Sequence, residues 1–304
     1  MKWIRRLLIG IGGLLFVFFF ILLPVGGSFL ITNSHFRYPE KGPRTPQQVG
    51  LPVEQVEFKT ADGLTLRGWW SKGEAGSPVI IFCHGLNRSR VELLERAGEA
   101  HKRGYSTLLF DLRNHGESDR AHTTLGILES QDVEAASQFA RMKAPGQPQF
   151  LWGVSMGAAT ALLAVRDYGG FAGVVSDSAF PSFRETIEHH VRLLFRIPAF
   201  PVANMIVWLT GVRMHIDPDS GNVETAVQKF GNVPVLFIAG GADRRMPPGV
   251  AKRLYDANQS PLKKLIVVPG AGHGEAFSTN REQYLEAVFS FLESIRGKAR
   301  QSAK

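Results

Sequence analysis

Ser155, Asp243 and His273 are residue types that together can cleave acyl bonds, and each follows a short apolar segment of the chain. A serine hydroxyl is a poor nucleophile at neutral pH, so it needs an adjacent base, and the base needs a carboxylate that holds its tautomer. We therefore expect Ser155 to attack the substrate, His273 to accept its proton and Asp243 to orient the imidazole. Each residue alone has a commoner role, since a loop histidine is often solvated and an aspartate in a glycine-rich loop often makes a turn.

Ser155 lies in the sequence Gly153-Val154-Ser155-Met156-Gly157, between an apolar segment and a segment with helical spacing. A tight turn from strand to helix presents the hydroxyl on a cramped backbone, and glycines at 153 and 157 remove the clashes of such a turn. The N-terminus of the following helix favours developing negative charge. The pentapeptide by itself is also compatible with glycines that serve only packing.

Backbone N–H groups near Ser155 are predicted to stabilise the oxyanion of an acyl-transfer intermediate. After an earlier apolar segment the sequence reads His84-Gly85-Leu86, and a glycine there lets the loop approach the nucleophile. We expect the N–H of Leu86 and the N–H of Met156 to form the oxyanion hole. His84 precedes the serine in the chain, which favours a structural role for this histidine.

Other polar residues offer alternative assignments. Asp111 and Asp177 also follow apolar segments. Adjacent His189 and His190 would point about 100° apart on a helix, without an evident carboxylate partner, and are predicted to lie on the surface of a lid. Cys83 is the single cysteine, which excludes an internal disulfide. The sequence predicts neither a metal nor a cofactor.

The candidate residues must be brought together by the elements around them. Short apolar runs alternate with segments of helical periodicity, which predicts a mostly parallel sheet with helices on both faces. In such a sheet ligands bind at the carboxyl ends of the strands. The predicted strands are 53–60, 64–70, 78–84, 106–111, 149–154, 171–176, 234–239 and 264–268, of which the first two form a hairpin. The predicted helices are 91–103, 131–142, 155–167, 249–257 and 281–295. Residues 181–230 lack a strand pattern and are predicted to form an apolar helical lid, broken at 198–201.

The sequence resembles the α/β-hydrolase-fold serine hydrolases, and is similar to the branch of monoacylglycerol-lipase-like and serine-aminopeptidase-type enzymes. The likeness spans about 53–295. The motifs that carry it are His84-Gly85-Leu86, the segments 110–118 and 234–243, the glycine-flanked Ser155 segment and Gly272-His273. The resemblance implies an α/β-hydrolase fold and the triad order Ser155, Asp243, His273. Some members of the family take the triad carboxylate from the strand that precedes Asp177, which makes Asp177 the second candidate for this carboxylate. Asn114 and Gly241 depart from the common pattern of the family without touching the triad.

The N-terminal region predicts a membrane anchor. Residues 7–31 carry no charged side chain and are long enough to cross a hydrocarbon core of about 30 Å as a helix. A cleavable signal peptide has a shorter apolar region of about 7 to 15 residues, so an uncleaved anchor is favoured, while 26–28 leaves a weak cleavage site open. Three basic residues within 1–6 predict a cytoplasmic N-terminus with the rest of the chain on the other side, although basic residues within 37–44 compete.

The net charge of +8 does not indicate a nucleic-acid partner. Seven of the 35 basic residues lie in 1–6 and 296–304, and the rest of the chain balances 28 basic residues against 27 acidic ones. Affinity for phosphate needs clustered lysine and arginine, so a nucleic-acid-binding protein is disfavoured. The remaining predicted parts are a proline- and glycine-rich stalk at 32–52, a hydrolase domain at 53–296 and a basic tail at 297–304.

These observations predict a membrane-anchored serine hydrolase that cleaves a carboxylic ester or thioester through an acyl-Ser155 intermediate. The expected substrate is a small acyl ester or a lipid-like ester, because the predicted lid is apolar. The same triad serves amidases and peptidases, so an amide substrate stays open. A non-catalytic binding protein on the same fold is the alternative from another class.

Overall fold

The computed structural model describes residues 2–33 and 42–302, with side chains described as far as residue 296. The apolar N-terminal residues form a continuous helical segment, which consists of α1 (Lys2–Val17), one π-helical turn (Phe18–Leu22) and α2 (Leu23–Asn33). Pro24 has no N–H to donate to the preceding turn, and the π-helical turn ends two residues before it. We call Lys2–Asn33 the N-terminal helix; it is long and apolar enough to cross a membrane.

The central sheet has eight strands. They are β1 (Glu54–Lys59), β2 (Thr65–Ser71), β3 (Val79–Cys83), β4 (Ser106–Phe110), β5 (Gln149–Val154), β6 (Gly173–Asp177), β7 (Val235–Gly240) and β8 (Lys264–Val268). The spatial order is β1-β2-β4-β3-β5-β6-β7-β8. β2 pairs antiparallel with β1 and β4, and all other neighbours are parallel. Strands β3 to β7 are apolar runs because helices cover both of their faces.

Helices on the two faces of the sheet bury two apolar cores, so the predicted fold class is confirmed. The helices that follow the N-terminal helix are α3 (Leu94–His101), α4 (Glu129–Lys143), α5 (Met156–Tyr168), α6 (Phe183–Phe195), α7 (Val202–Met214), α8 (Val223–Gln228), α9 (Pro248–Ala257), α10 (Ala276–Thr279) and α11 (Arg281–Ser302). α3 and α11 pack against Ile80 and Phe82, whereas α4 and α5 pack on the other face against Val79 and Ile81. α11 continues through most of the predicted basic tail, and residues 303–304 lie outside the described part.

The lid prediction matches the connection between β6 and β7. This connection holds α6, α7 and α8, and its described residues form no strand apart from a single bridge between Ser182 and Asn222. The Ser182 hydroxyl accepts the N–H of Glu185 at 3.1 Å and caps α6. The predicted break at 198–201 separates α6 from α7. α6 and α7 lie at the carboxyl edge of the sheet, which is the edge at which sheets of this kind bind ligands.

The C-terminal part of the N-terminal helix packs against the domain. α2 packs against α7, and the side chains of Ser28 and Thr32 are fully buried there. The Arg213 guanidinium of α7 donates to the Ser28 hydroxyl at 2.7 Å. The predicted membrane segment 7–31 therefore divides into an exposed part before Leu23 and a part that belongs to the packed domain.

The predicted stalk at 32–52 is wrong for the residues that the structure describes. Thr32 and Asn33 complete α2, and residues 34–41 lie outside the described part. Pro46–Val49 forms a short 3-10 helix, and Leu51 is only 2% exposed in the core under α3. The hydrolase domain therefore begins before its predicted boundary at residue 53, because apolar residues among the prolines are buried in its core.

Candidate active site

Ser155 occupies a strained turn between β5 and α5. Its backbone has φ 52° and ψ −116°, a conformation that non-glycine residues rarely adopt. A Cβ at Gly157 would lie 2.0 Å from the Cys83 carbonyl oxygen, and one at Gly153 would lie 2.4 Å from the Gly157 carbonyl oxygen. Both glycines are therefore required by the backbone of the turn. The Ser155 N–H donates to the Asp177 carbonyl at 2.8 Å, which holds the turn against β6.

The three residues predicted for the triad lie in one chain of hydrogen bonds. Asp243 follows β7 and His273 follows β8, at the same edge of the sheet as Ser155. His273 Nε2 is 2.8 Å from Ser155 Oγ, and His273 Nδ1 is 2.7 Å from Asp243 Oδ2. A carboxylate only accepts, so Nδ1 carries the proton and Nε2 accepts from the serine hydroxyl. This arrangement leaves Ser155 ready to lose its proton to His273.

The carboxylate of Asp243 is fixed from its other side. Its Oδ1 accepts the backbone N–H groups of Arg245 at 2.9 Å and Met246 at 2.8 Å. The side chain is completely buried. Because Oδ1 is held by two donors, Oδ2 can face only the imidazole of His273, and the tautomer of His273 follows from this geometry.

The carboxylate of Asp177, the second candidate for the triad, is bonded to side chains other than His273. Its Oδ2 accepts the Tyr284 hydroxyl at 3.0 Å and its Oδ1 accepts the Ser178 hydroxyl at 2.9 Å. Burial raises the pKa of Asp177, and the Arg96 guanidinium at 3.9 Å acts in the opposite direction. Among the described residues, the carboxylate bonded to His273 is that of Asp243. The geometry thus favours Asp243 over Asp177.

The loop after β3 lies beside the nucleophile candidate Ser155. Leu86 and Met156 line the same cavity as Ser155, and a Cβ at Gly85 would lie 3.6 Å from Ser155 Cβ. The Gly85 N–H donates to Glu92 at 2.6 Å, and His84 Nε2 accepts the Leu112 N–H at 3.0 Å. His84 is thus a buried support of this loop, in agreement with its predicted structural role.

An apolar cavity of about 480 Å³ opens above Ser155. The lid contributes Ile187, Val191 and Leu194 to its wall, and the N-terminal helix contributes a second wall. A volume between about 300 and 1,000 Å³ is typical of small-molecule sites. The cavity can take an apolar group of considerable size next to the nucleophile.

His190 lines this cavity, contrary to the predicted surface position. Its Nδ1 is 2.8 Å from the Thr186 carbonyl oxygen, and burial lowers the pKa of the imidazole. The helical pattern of the lid did not show which face of α6 turns inward. His189 instead lies 2.9 Å from the Arg244 carbonyl oxygen. No group of three metal-ligating side chains occurs within residues 2–33 and 42–296.

A polar cavity lies on the other side of His273. Its wall includes Arg88, Arg96 and Arg281 together with Glu92 and Glu95, and its volume is about 370 Å³. The imidazole therefore stands between a charged cavity and, across Ser155, an apolar one.

The fold and this site define a hydrolase class, and comparison with known proteins agrees. The chain belongs to the Alpha/beta hydrolase family, whose profile matches residues 80–289. The predicted α/β-hydrolase fold is thereby confirmed.

Two of the three similar proteins described here match this chain over most of its length. Uncharacterized protein Rv2307c of Mycobacterium tuberculosis is 30% identical over 263 residues, which is 84% of this chain and 85% of that protein. The esterase Pf2001 of Pyrococcus furiosus is similar in structure, with a TM-score of 0.68 and 25% identity over 84% of this chain and 98% of that chain. Thiohydrolase aneE of Aspergillus aculeatus is 41% identical over 113 residues, 36% of each chain.

Proposed function

We propose that this protein is a serine hydrolase that cleaves carboxylic esters or thioesters through an acyl-Ser155 intermediate. The observation that carries the proposal is the chain of hydrogen bonds from Ser155 through His273 to Asp243 beside an apolar cavity. Similarity to an esterase and to a thiohydrolase supports an ester or thioester as the bond that is cleaved.

The proposed reaction begins with attack of Ser155 Oγ on the acyl carbonyl while His273 Nε2 takes the hydroxyl proton. Asp243 stabilises the imidazolium that forms, and the N–H groups of Leu86 and Met156 face the oxyanion. The carbon–oxygen or carbon–sulfur bond then breaks, and His273 gives its proton to the departing alcohol or thiol. Water attacks the acyl-serine in the second half with the same base, which releases the acid and restores Ser155.

We propose further that the N-terminal helix anchors the enzyme in a membrane. Nearly all of its residues before Leu23 are exposed and apolar, which suits lipid and not water. The sixteen uncharged residues from Leu7 to Leu22 extend about 24 Å at about 1.5 Å per residue, which covers most of a hydrocarbon core of about 30 Å. The basic residues of 2–6 favour a cytoplasmic N-terminus, with the hydrolase domain on the other side.

A fluorophosphonate probe that does not cross membranes tests these proposals together. The full chain in sealed vesicles with the non-cytoplasmic side outward should be labelled, and Ser155→Ala should abolish the labelling. Ser278→Ala changes an exposed serine near His273 and is the matched control, which should label like the wild type. Labelling of Ser155→Ala would refute the nucleophile, and labelling of the wild type only after vesicles are opened would refute the orientation.

A further inference from the structure

The cavity above Ser155 is walled in part by the N-terminal helix. Phe18, Leu22, Gly26 and Leu30 line it, and these residues follow one another at intervals of four. Residues at this spacing share a face of a helix. One face of the N-terminal helix therefore belongs to the candidate active site, some 130 residues before Ser155 in the chain.

Specific contacts hold this helix face in place. The Ser28 hydroxyl accepts from Arg213 at 2.7 Å and from the Thr210 hydroxyl at 3.0 Å. The Arg213 guanidinium also stacks on the Phe29 ring, 3.5 Å from its centroid. The Thr32 carbonyl accepts the Thr123 N–H at 2.9 Å. Buried polar contacts of this kind fix the rotation of a helix, so the same face is always turned to the cavity.

Glycine brings the backbone of the helix close to the lid and leaves room beside it. A Cβ at Gly27 would lie 2.9 Å from Ile206 Cδ1, so α2 packs directly on α7 at this point. A Cβ at Gly26, one residue earlier, would meet nothing within 4 Å, although Gly26 lines the cavity. The absence of a side chain at Gly26 thus keeps the space next to the helix open.

The cavity wall continues into the part of the helix that is exposed and apolar. Phe18 and Leu22 line the cavity and also lie at the end of the stretch that is long enough to cross a membrane. On the lid, Leu194 and Phe195 line the cavity and are 68% and 46% exposed. Apolar side chains with this exposure are stabilised by contact with lipid.

We infer that the N-terminal helix is a substrate-binding element, and that the substrate is a long-chain acyl ester whose chain enters from the bilayer along this helix. The inference rests on the proposed function and specifies its substrate class. The acyl chain lies between the N-terminal helix and the lid, with the ester carbonyl at Ser155.

A photo-cross-linking experiment on the full chain tests this inference. The probe is a fluorophosphonate with a long alkyl chain that ends in a diazirine. Its phosphorus forms a bond to Ser155 Oγ as fluoride leaves, and irradiation then joins the end of the alkyl chain to whatever lies beside it. Trypsin releases the helix as one peptide, 7–37, because no lysine or arginine lies between its ends. We expect this peptide to carry the cross-link in membranes and in detergent.

The outcomes separate the two proposals. Cross-links to the peptide 7–37 support the inference, and cross-links confined to other peptides overturn it. A probe that fails to react with Ser155 at all overturns the proposed function instead. This experiment uses the unaltered sequence, so it does not depend on the folding of a variant.

A matched pair of glycine substitutions gives an independent test. Gly26→Leu places a side chain at the cavity wall, whereas Gly12→Leu makes the same change in the same helix away from the cavity. We expect Gly26→Leu to lower kcat/KM for p-nitrophenyl dodecanoate at least tenfold more than it lowers kcat/KM for p-nitrophenyl acetate. Gly12→Leu should change neither. The inference would be overturned if the ratio of kcat/KM for the dodecanoate to kcat/KM for the acetate were the same in both variants.

Discussion

Asp243→Asn gives the sharpest test of the triad because the hydrogen bonds around this side chain fix the orientation of the new amide group. Oδ1 of Asp243 accepts two backbone N–H groups, at 2.9 and 2.8 Å. Turning the amide nitrogen toward these donors would leave them without acceptors. Each buried donor without an acceptor costs about 1–3 kcal/mol of folding free energy. The amide oxygen of Asp243→Asn therefore stays at the Oδ1 position, and its NH₂ group faces His273.

That orientation reverses the tautomer of His273. The NH₂ group would lie at the 2.7 Å position now occupied by Oδ2, so Nδ1 must accept and the ring proton moves to Nε2. A protonated Nε2 cannot take the proton of Ser155. We expect kcat to fall about 10,000-fold, which is about 5.5 kcal/mol of transition-state stabilisation, as in triads where the tautomer is reversed.

The assay is hydrolysis of p-nitrophenyl acetate, with thermal unfolding measured on the same samples. Asp177→Asn is the matched control, since Asp177 also lies at the carboxyl end of a strand but bonds to Tyr284 and Ser178. It should lower kcat less than tenfold, accompanied by a lower Tm from the altered buried network. A well-folded Asp243→Asn enzyme with more than a tenth of the wild-type kcat would refute the reasoning, and so would the large loss appearing in Asp177→Asn instead.

Two further predictions concern the turn and the cysteine beside it. Gly157→Ala forces a methyl group to 2.0 Å from the Cys83 carbonyl oxygen, and we expect about 3 kcal/mol of destabilisation and a Tm lower by about 6–12 °C in thermal unfolding. Gly249→Ala, where a Cβ meets nothing within 4 Å, should leave the Tm unchanged, and an equal Tm for both variants would contradict the close contact. Burial raises the pKa of the Cys83 thiol, and the charge of Asp132 adds to this effect, so little thiolate forms. Mass spectrometry should find native protein free of iodoacetamide adducts and denatured protein fully alkylated; rapid alkylation of the native protein would show that the strand opens.

The parts of the molecule that the sequence predicted are those with a local pattern. Strand β5, the turn at Ser155 and the helix after it lie in one segment whose apolar run and glycines indicate the geometry. His273 and Asp243 were predictable because each follows a strand, and parallel strands end at one edge of the sheet. The choice between Asp243 and Asp177 needed the three-dimensional structure, since both lie at the carboxyl ends of strands and their side-chain partners differ.

The parts that were missed depend on contacts between distant residues. The hydrogen bond between Ser28 and Arg213 joins residues 185 positions apart, and neither residue stands in a recognisable motif. An apolar helix with few polar side chains has no amphipathic pattern to show which face is buried. Gly26 and Gly27 were the one feature of the sequence that indicates this contact, because small residues in a lipid-facing helix allow another helix to approach closely. Leu51 and His190 were misplaced for the same reason, since their burial depends on neighbours elsewhere in the chain.

The contact between Ser28 and Arg213 also bears on how the enzyme should be handled. A single-pass protein is commonly shortened to its water-soluble domain before purification. Here the shortened protein would lose a wall of the cavity above Ser155, expose Ile206 to water and leave Arg213 without its buried acceptor. Any activity measured on such a protein would refer to a site that lacks one of its walls. The lipid or detergent around the full chain should accordingly be specified together with buffer and temperature in any statement of its activity.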